Sequence, residues 1–355
     1  LDGTTTAEQY GEPAGRITIV DEPANYPADL ETGSWYYNAA VYALDNGIMN
    51  GTNKGFEPTG TVTRATVYQT LYNMVSQFFG KKIYAFMPIE AGGVNSMLPI
   101  AACARLGLPL VDCDGMGRAF PELQMVTFTI GGMSATPMAL TDEKGNSVIF
   151  ETITNKWTEE LARAVTMSCG GSVSVSLYPM TGAQMKAYSV KNIVTRSQKL
   201  GEAIRTVKDC ADDVTPEEHF LQFSEGYKLF KGKIADVLRE TRGAFNFGKV
   251  MLEGIGECKG HQAYVEFQNE NLTAIVDGEI LATTPDLICL VDTETFTPVT
   301  TDALKYGKRV LVIGLKCFEM WRTPAGIDLV GPRYFGCDTD YIPLEERCKG
   351  GICHV

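Results

Sequence analysis

The spacing of hydrophobic and polar residues changes character along the chain. Residues 1–33 are rich in Thr, Gly, Pro and Glu and hold no period, which predicts a tether with one short strand at Arg16–Val20. In "SWYYNAAVYALDNGIMNG", Trp35, Ala39, Tyr42 and Ala43 share a helical face that Ala40, Leu44 and Ile48 extend, with Ser34 as N-cap and Gly47 as stop. A turn-rich loop follows, and then a second helix capped by Thr63, burying Val67, Leu71 and Met74. The helix–loop–helix of residues 34–80 is too small to hold much core alone.

After Gly80 the pattern predicts an α/β domain over residues 81–225. "KIYAFMPIE" reads as a strand, "SMLPIAACARLG" as an apolar helix ending at Gly107, and "LPLVDCDG" as a buried strand of the parallel type. "MVTFTIGGM", "SVIFET" and "SVSVSLYPM" add strands. "NKWTEELARAVTMSCGG" predicts an amphipathic helix with Trp157, Leu161, Ala164, Val165 and Ser168 in register, and Val194–Val207 a further helix. From Lys228 the chain breaks into short alternating strands split by Gly, Asp and Pro, which predicts a mostly β domain over residues 226–345, a barrel or sandwich. Residues 346–355 form a tail.

Composition narrows the partners. A formal net charge of -12 excludes the broad basic field that nucleic acid or an anionic membrane needs, and no apolar run approaches the ~18 residues of a membrane span. The chain opens at Leu1 with no charged-then-apolar leader, as a processed chain or a fragment would. The cysteines form no CxxC pair, and Cys103 and Cys289 lie in apolar runs, which points to a reducing, cytoplasmic setting. In the tail, Cys348 and Cys353 beside His354 could form a local pair or a metal site.

Polar groups concentrate in loops after predicted strands, where ligands of open α/β sheets collect. "PIEAGGVNS" offers Glu90, Asn95 and Ser96 around Gly92 and Gly93; "VDCDGMGRAFPELQ" offers Asp112, Asp114, Arg118 and Glu122; "SATPMALTDEKGN" offers Ser134, Thr136, Asp142 and Glu143; "EFQNENLTA" offers Gln268, Asn269, Glu270 and Asn271. Asp112 and Asp114 close an apolar strand. They could act as general acid or base or hold a divalent metal; equally, one could cap the next helix while the other is solvated. Arg118 could grip a substrate carboxylate or pair with Glu122. Gly92 and Gly93 could admit a ligand to the backbone or simply turn the chain. Cys113, with no His nearby in sequence, reads as a buried thiol.

The segments "MPIEAGGVNSMLPIAACARLGLPLVDCDGMGRAFPELQM", "GMSATPMALTDEKGN", "EFQNENLTAIVDGEILATTPDLICLVD" and "WRTPAGIDLVGPRYFGCDTDY" resemble the S-methyl-thiohydantoin desulfurase-like family, over residues about 81–343. The resemblance implies an α/β N-terminal part, a β-rich C-terminal domain and a hydrolase or desulfurase acting on a small heterocyclic ring, often beside a hydantoinase. With the loop positions above, Asp112, Asp114 and Glu90 are the catalytic candidates and Gly92, Gly93, Asn95, Ser96, Arg118, Glu122, Gln268, Asn269, Glu270 and Asn271 the substrate-binding ones. The resemblance names no cofactor. Relatives carry a Gly-rich N-terminal segment that this sequence lacks, so the resemblance also implies an incomplete site, in an enzyme either active or crippled by that loss. In its place, "WYYNAAVYALDNGIMNGTNKGFEPTGTVTRATVYQTLYNM" resembles a single S-layer homology module. That implies a cell-wall polysaccharide partner met by Arg64 and Trp35, and an alternative reading: a surface protein whose α/β domain only binds. Oligomerisation is left open.

Overall fold

The computed structural model describes residues 26–34, 37–45, 64–209 and 213–348. The chain forms two compact units, residues 1–61 and 62–355. In the first, helix α1 spans Tyr37–Asp45. Leu30 and Ala40 are buried, and the Tyr26 hydroxyl donates to Asp45 Oδ1 at 2.5 Å. Ser34, expected as the N-cap, turns its hydroxyl back to the Glu31 carbonyl instead. Trp35, Gly47 and the expected strand at Arg16–Val20 lie outside the described residues.

The second unit begins with α2, Arg64–Phe79. Val67, Thr70, Leu71, Met74 and Val75 are buried on it. The next element, α3, spans Gly93–Leu106 and ends at Gly107, whose φ of 65° provides the left-handed cap. The strand–helix–strand expected around α3 is reduced, among the described residues, to one parallel bridge between Phe86 and Leu110. The chain then forms β1, Cys113–Asp114. "MVTFTI" is not a strand but the single helical turn α4, Thr127–Ile130, with Thr127 and Phe128 buried. A short run buried all round carries no period to separate helix from strand.

Strand β2, Met138–Thr141, is the centre of an antiparallel three-stranded sheet with β3, Ser147–Phe150, on one side. Helix α5 spans Asn155–Ser168 and is capped by the Thr154 side chain, which accepts from Trp157 N. Its buried positions are Thr158, Glu159 and Ala162, while Trp157 and Leu161 are 49% and 44% exposed. The helix is therefore rotated from the face its apolar residues predict. Glu159 turns inward because its carboxylate accepts from Leu123 N and from Arg163. Strand β4, Ser174–Ser176, completes the sheet, and α2 packs on β2 and β4. Helix α6, Gly182–Tyr188, opens with a Thr181–Gln184 capping box. Strand β5, Val190–Lys191, pairs antiparallel with β1. Helices α7, Ile193–Arg205, and α8, Pro216–Ser224, follow.

The C-terminal region is one seven-stranded antiparallel sheet. Its strands are β6 (Tyr227–Arg242), β7 (Phe245–Gly254), β8 (Gln262–Gln268), β9 (Glu270–Val276), β10 (Glu279–Thr283), β11 (Leu287–Asp292) and β12 (Arg309–Leu315), ordered β10-β9-β8-β7-β6-β12-β11. The sheet curls until β11 returns beside β9, where Asn271 Nδ2 donates to the Ile288 carbonyl at 2.9 Å. Strand β12 is buried on both faces. Val310 and Val312 join the sheet's core with Leu229, Phe230 and Val265, whereas Leu311 and Ile313 pack with Val207 and Phe220 on the side of α7 and α8. Strands β6 and β7 are joined by a two-residue turn, Gly243 and Ala244, both at positive φ (55° and 68°).

After the sheet, the chain returns to the α/β region through Trp321 and helix α9 (Pro324–Val330), whereas helix α10 (Leu344–Arg347) packs on β10 with Leu344 in the sheet's core. Trp321 is fully buried, donates Nε1–H to the Met116 carbonyl at 2.8 Å and meets Phe120 edge-on at 5.0 Å. Trp321 and Val330 share one core with Met116, Phe120, Met125 and Phe128, which fixes residues 114–122 against the β region.

Candidate functional site

Arg118 is the centre around which distant segments converge. It is 7% exposed. Its guanidinium donates to the carbonyls of Ala119 (3.0 Å), Asn271 (3.0 Å), Pro285 (3.1 Å) and Asp286 (2.7 Å) and lies 4.5 Å from the Phe120 ring centroid. Burial lowers its pKa, against the nearby negative charge of Glu270. A buried cation of this kind demands anionic company.

Two carboxylates supply it. Glu90, in the loop before α3, accepts from Asn95 Nδ2 at 2.6 Å through Oε1, while its Oε2 is buried without a partner. Burial raises its pKa, opposed by Asn95, by the Phe120 backbone N–H directed at the carboxylate and by Arg118. Glu270 opens β9, and its Oε2 is likewise buried and unpartnered. Burial, and then repulsion from Glu90, push its pKa up to about 7, with Arg118 holding it back. Next to it, Asn271 Oδ1 is a third buried acceptor without a donor. The charge of Glu90 thus disfavours ionisation of Glu270 and adds to the effect of burial.

Asp114 braces the arrangement. It is fully buried and accepts from Ala91 N (2.7 Å), Met116 N (3.1 Å) and Gly117 N (2.8 Å), tying the Glu90 loop to the 114–117 turn. Burial lifts its pKa to about 6 despite these bonds, and Glu90 adds to the rise.

The other sequence-derived candidates are placed differently. Asp112 accepts from Val194 N (2.8 Å), Thr195 N (3.2 Å) and Thr195 Oγ1 (2.5 Å), so it caps α7. Burial would raise its pKa, but these bonds outweigh it and the carboxyl lies below its usual range. Glu122 does not pair with Arg118; it takes Lys156 Nζ at 2.6 Å and the Tyr334 hydroxyl at 2.9 Å. Gly92 is the N-cap of α3 and accepts from Ser96 N, and both Gly92 and Gly93 have open space where a Cβ would sit. Asn269, at φ 57°, turns the chain between β8 and β9, and its Oδ1 accepts from Asn246 N. Gln268 is buried opposite Phe247 in the β7–β8 ladder. Asp142 closes its own turn through Lys144 N and Asn146 N, and the Ser134 and Thr136 hydroxyls bond each other. Cys113 is buried beside Met87, and burial raises its thiol pKa.

The side chain of Arg64, and Trp35, Cys353 and His354, lie outside the described residues. Among the described residues no three His, Cys, Asp or Glu side chains converge as a metal-ligand set. Sequence reasoning missed the Phe120 ring and the carbonyls of Pro285 and Asp286. Backbone acceptors carry no side-chain signal, and only the fold shows which carbonyls face Arg118.

Residues 153–344 match the family model described as S-Me-THD-like, C-terminal domain, and residues 58–152 match its N-terminal counterpart. Residues 28–67 match the S-layer homology domain. No curated protein matches the chain. An X-ray crystal structure of a protein from Chromobacterium violaceum superposes with a TM-score of 0.63 at 23% identity, covering 76% of each chain, so the two share a fold.

Proposed function

The chain belongs to the S-Me-THD-like family, and from that premise we propose that it hydrolyses the carbon–sulfur bond of an S-methyl-thiohydantoin-type ring at Glu90 and Glu270. The observation that carries the reading is the set of three buried acceptors without donors, Glu90 Oε2, Glu270 Oε2 and Asn271 Oδ1, around buried Arg118. Buried polar atoms are rarely left unpaired; the ring's one N–H would satisfy one of these acceptors and the attacking water another.

In the reaction, water oxygen bonds to the ring carbon that bears the methylthio group. The carbon–sulfur bond breaks, methanethiol leaves, and the two water hydrogens end on sulfur and on ring nitrogen. Glu90, favoured as the ionised partner by Asn95, accepts the proton from water. Glu90 passes that proton to the ring nitrogen, while Glu270, with its pKa near 7, gives a proton to the leaving sulfur and regains one from the hydroxyl of the intermediate as the carbonyl forms. Asp114 positions the Glu90 loop. The product, a hydantoin ring, is the substrate type a partner hydantoinase would take onward.

Methanethiol release from S-methyl-thiohydantoin, followed with a thiol reagent, tests this. Glu90→Gln and Glu270→Gln are each expected to lower kcat by about 100-fold or more. Wild-type rates in both variants would remove the acid pair from the chemistry; absence of turnover by the wild-type protein would refute the hydrolytic reading.

A second reading rests on the S-layer homology match at residues 28–67, which supports surface association over the cytoplasmic setting the cysteines suggested. We propose that Arg64 and Trp35 meet an acidic wall polysaccharide, a planar guanidinium being suited to bidentate contact with acidic sugars. Co-sedimentation with purified cell wall, lost in Arg64→Ala, is the expected result; unchanged pelleting of the variant would count against it.

A further inference from the structure

Asp286 is a fully buried carboxylate that the proposed reaction does not use. It lies between β10 and β11 and serves two neighbourhoods. Its carbonyl accepts from Arg118 Nη1 at 2.7 Å, and the Pro285 carbonyl beside it accepts from the same nitrogen at 3.1 Å. Its side chain holds later parts of the chain. Oδ1 accepts from Cys317 N at 2.9 Å, while Oδ2 accepts from Leu344 N at 2.9 Å and from the Tyr341 hydroxyl at 3.1 Å. Arg322 Nη2 lies 3.7 Å from Oδ1 and is itself gripped by both oxygens of Glu345. Arg347 of α10 also feels the Asp286 charge.

These bonds fix where Arg118 can sit. Residues 285 and 286 supply two of its four carbonyl partners, and the carboxylate ties that segment to Cys317 after β12 and to Tyr341 and Leu344 at the entry of α10. Through Nη2 the same guanidinium donates to the Asn271 carbonyl at 3.0 Å, next in the chain to Glu270. Arg118 therefore spans from the anchored segment to the start of β9. Its charge works against Glu90 in lowering the proton affinity of Glu270, with Arg163 adding to it. A carboxylate suits the anchoring place because both oxygens must accept. An amide of the same shape would turn an NH2 group against the N–H of Cys317 or of Leu344.

We propose that Asp286 is a positioning residue for the reaction: its carboxylate anchors residues 285–286, so that their carbonyls hold the Arg118 guanidinium at the start of β9. The role rests on the reading of Glu270 as the acid and of Arg118 as its counter-charge.

Carbon-13 NMR of the whole chain, labelled at the glutamate side-chain carboxyls, reads the titration of Glu270 without requiring turnover, with Glu270→Gln identifying its signal. Asp286→Asn is expected to raise the midpoint by roughly half a pH unit or more as the cation loses its place. The direction is decisive, since loss of the Asp286 negative charge acting directly would lower the midpoint. Tyr341→Phe keeps that charge and removes one anchoring bond. It is expected to give a smaller rise, and it carries the test if Asp286→Asn does not fold. In an Arg118→Lys background Asp286→Asn is expected to add nothing. In the methanethiol assay kcat should fall about tenfold in Asp286→Asn, and the alkaline limb of its pH profile should move up with the Glu270 midpoint. An unmoved or lowered midpoint in the folded variants, or an equal rise in the Arg118→Lys background, overturns the role. A raised midpoint in a protein that releases no methanethiol sinks the hydrolytic reading and leaves the coupling of Asp286 to Glu270 through Arg118 standing.

Discussion

Replacing Glu270 with Gln changes the pH dependence of stability in a direction the site dictates. The carboxyl's pKa rises from 4.5 to about 7 on folding, chiefly through burial and then through Glu90. Between those values the folded chain binds more protons than the unfolded one, so stability falls as pH rises. The rise of about two and a half pH units corresponds to ~3 kcal/mol, fully present as a penalty above pH 7 and absent below pH 4.5. Part of it is shared with Glu90, which makes ~3 kcal/mol an upper figure for this residue alone. Gln has nearly the shape of the protonated acid and no charge to bury. Urea titrations of wild type and Glu270→Gln, followed by far-ultraviolet circular dichroism at pH 4.5 to 8, should coincide near the acid end. They should diverge upward in favour of the variant as pH rises. Parallel curves, or a variant weakened equally at every pH, would refute the placement of Glu270 in a buried acid pair. A stabilising substitution that removes activity is the pattern expected of a functional group held at a cost.

Other substitutions test the surrounding frame. Ala244→Gly should stabilise by about 1 kcal/mol, because Ala244 sits at φ 68° in the β6–β7 turn, a region glycine occupies freely; thermal melting checks it. Arg118→Met should destabilise by roughly 3–5 kcal/mol, since it strips donors from the carbonyls of Asn271, Pro285 and Asp286 and leaves Glu270 without its counter-charge; a Tm within a degree or two of wild type would contradict that. Asp112→Ala should cost about 1 kcal/mol through loss of the α7 cap. A large fall in kcat in folded Asp112→Ala, beyond this stability effect, would return Asp112 to the chemistry.

Some of the architecture is legible in local pattern. The α7 span expected at Val194–Val207 forms at Ile193–Arg205, and the strand-rich composition after Lys228 becomes the seven-stranded curled sheet. Other elements could not be read that way. The apolar stripe Trp157–Leu161 of α5 faces outward because Glu159 is needed as a buried acceptor. Phe78, next in line after Val67, Leu71 and Met74 on α2, is 47% exposed, and Val75 is buried instead. These outcomes depend on what lies opposite each helix, which periodicity does not encode.

The same division runs through the site. Sequence alone determined which polar loops carry Glu90, Asp114, Arg118 and Glu270, because residue type and loop position are local properties. It also determined the family resemblance, carried by long ordered motifs. Only the tertiary structure decided that Asp112 caps a helix while Glu270 keeps a raised pKa. A carboxyl's proton affinity is set by burial, donors and neighbouring charge, and here those come from segments far apart in the chain, brought together by the return of Trp321 and the curl of the β sheet.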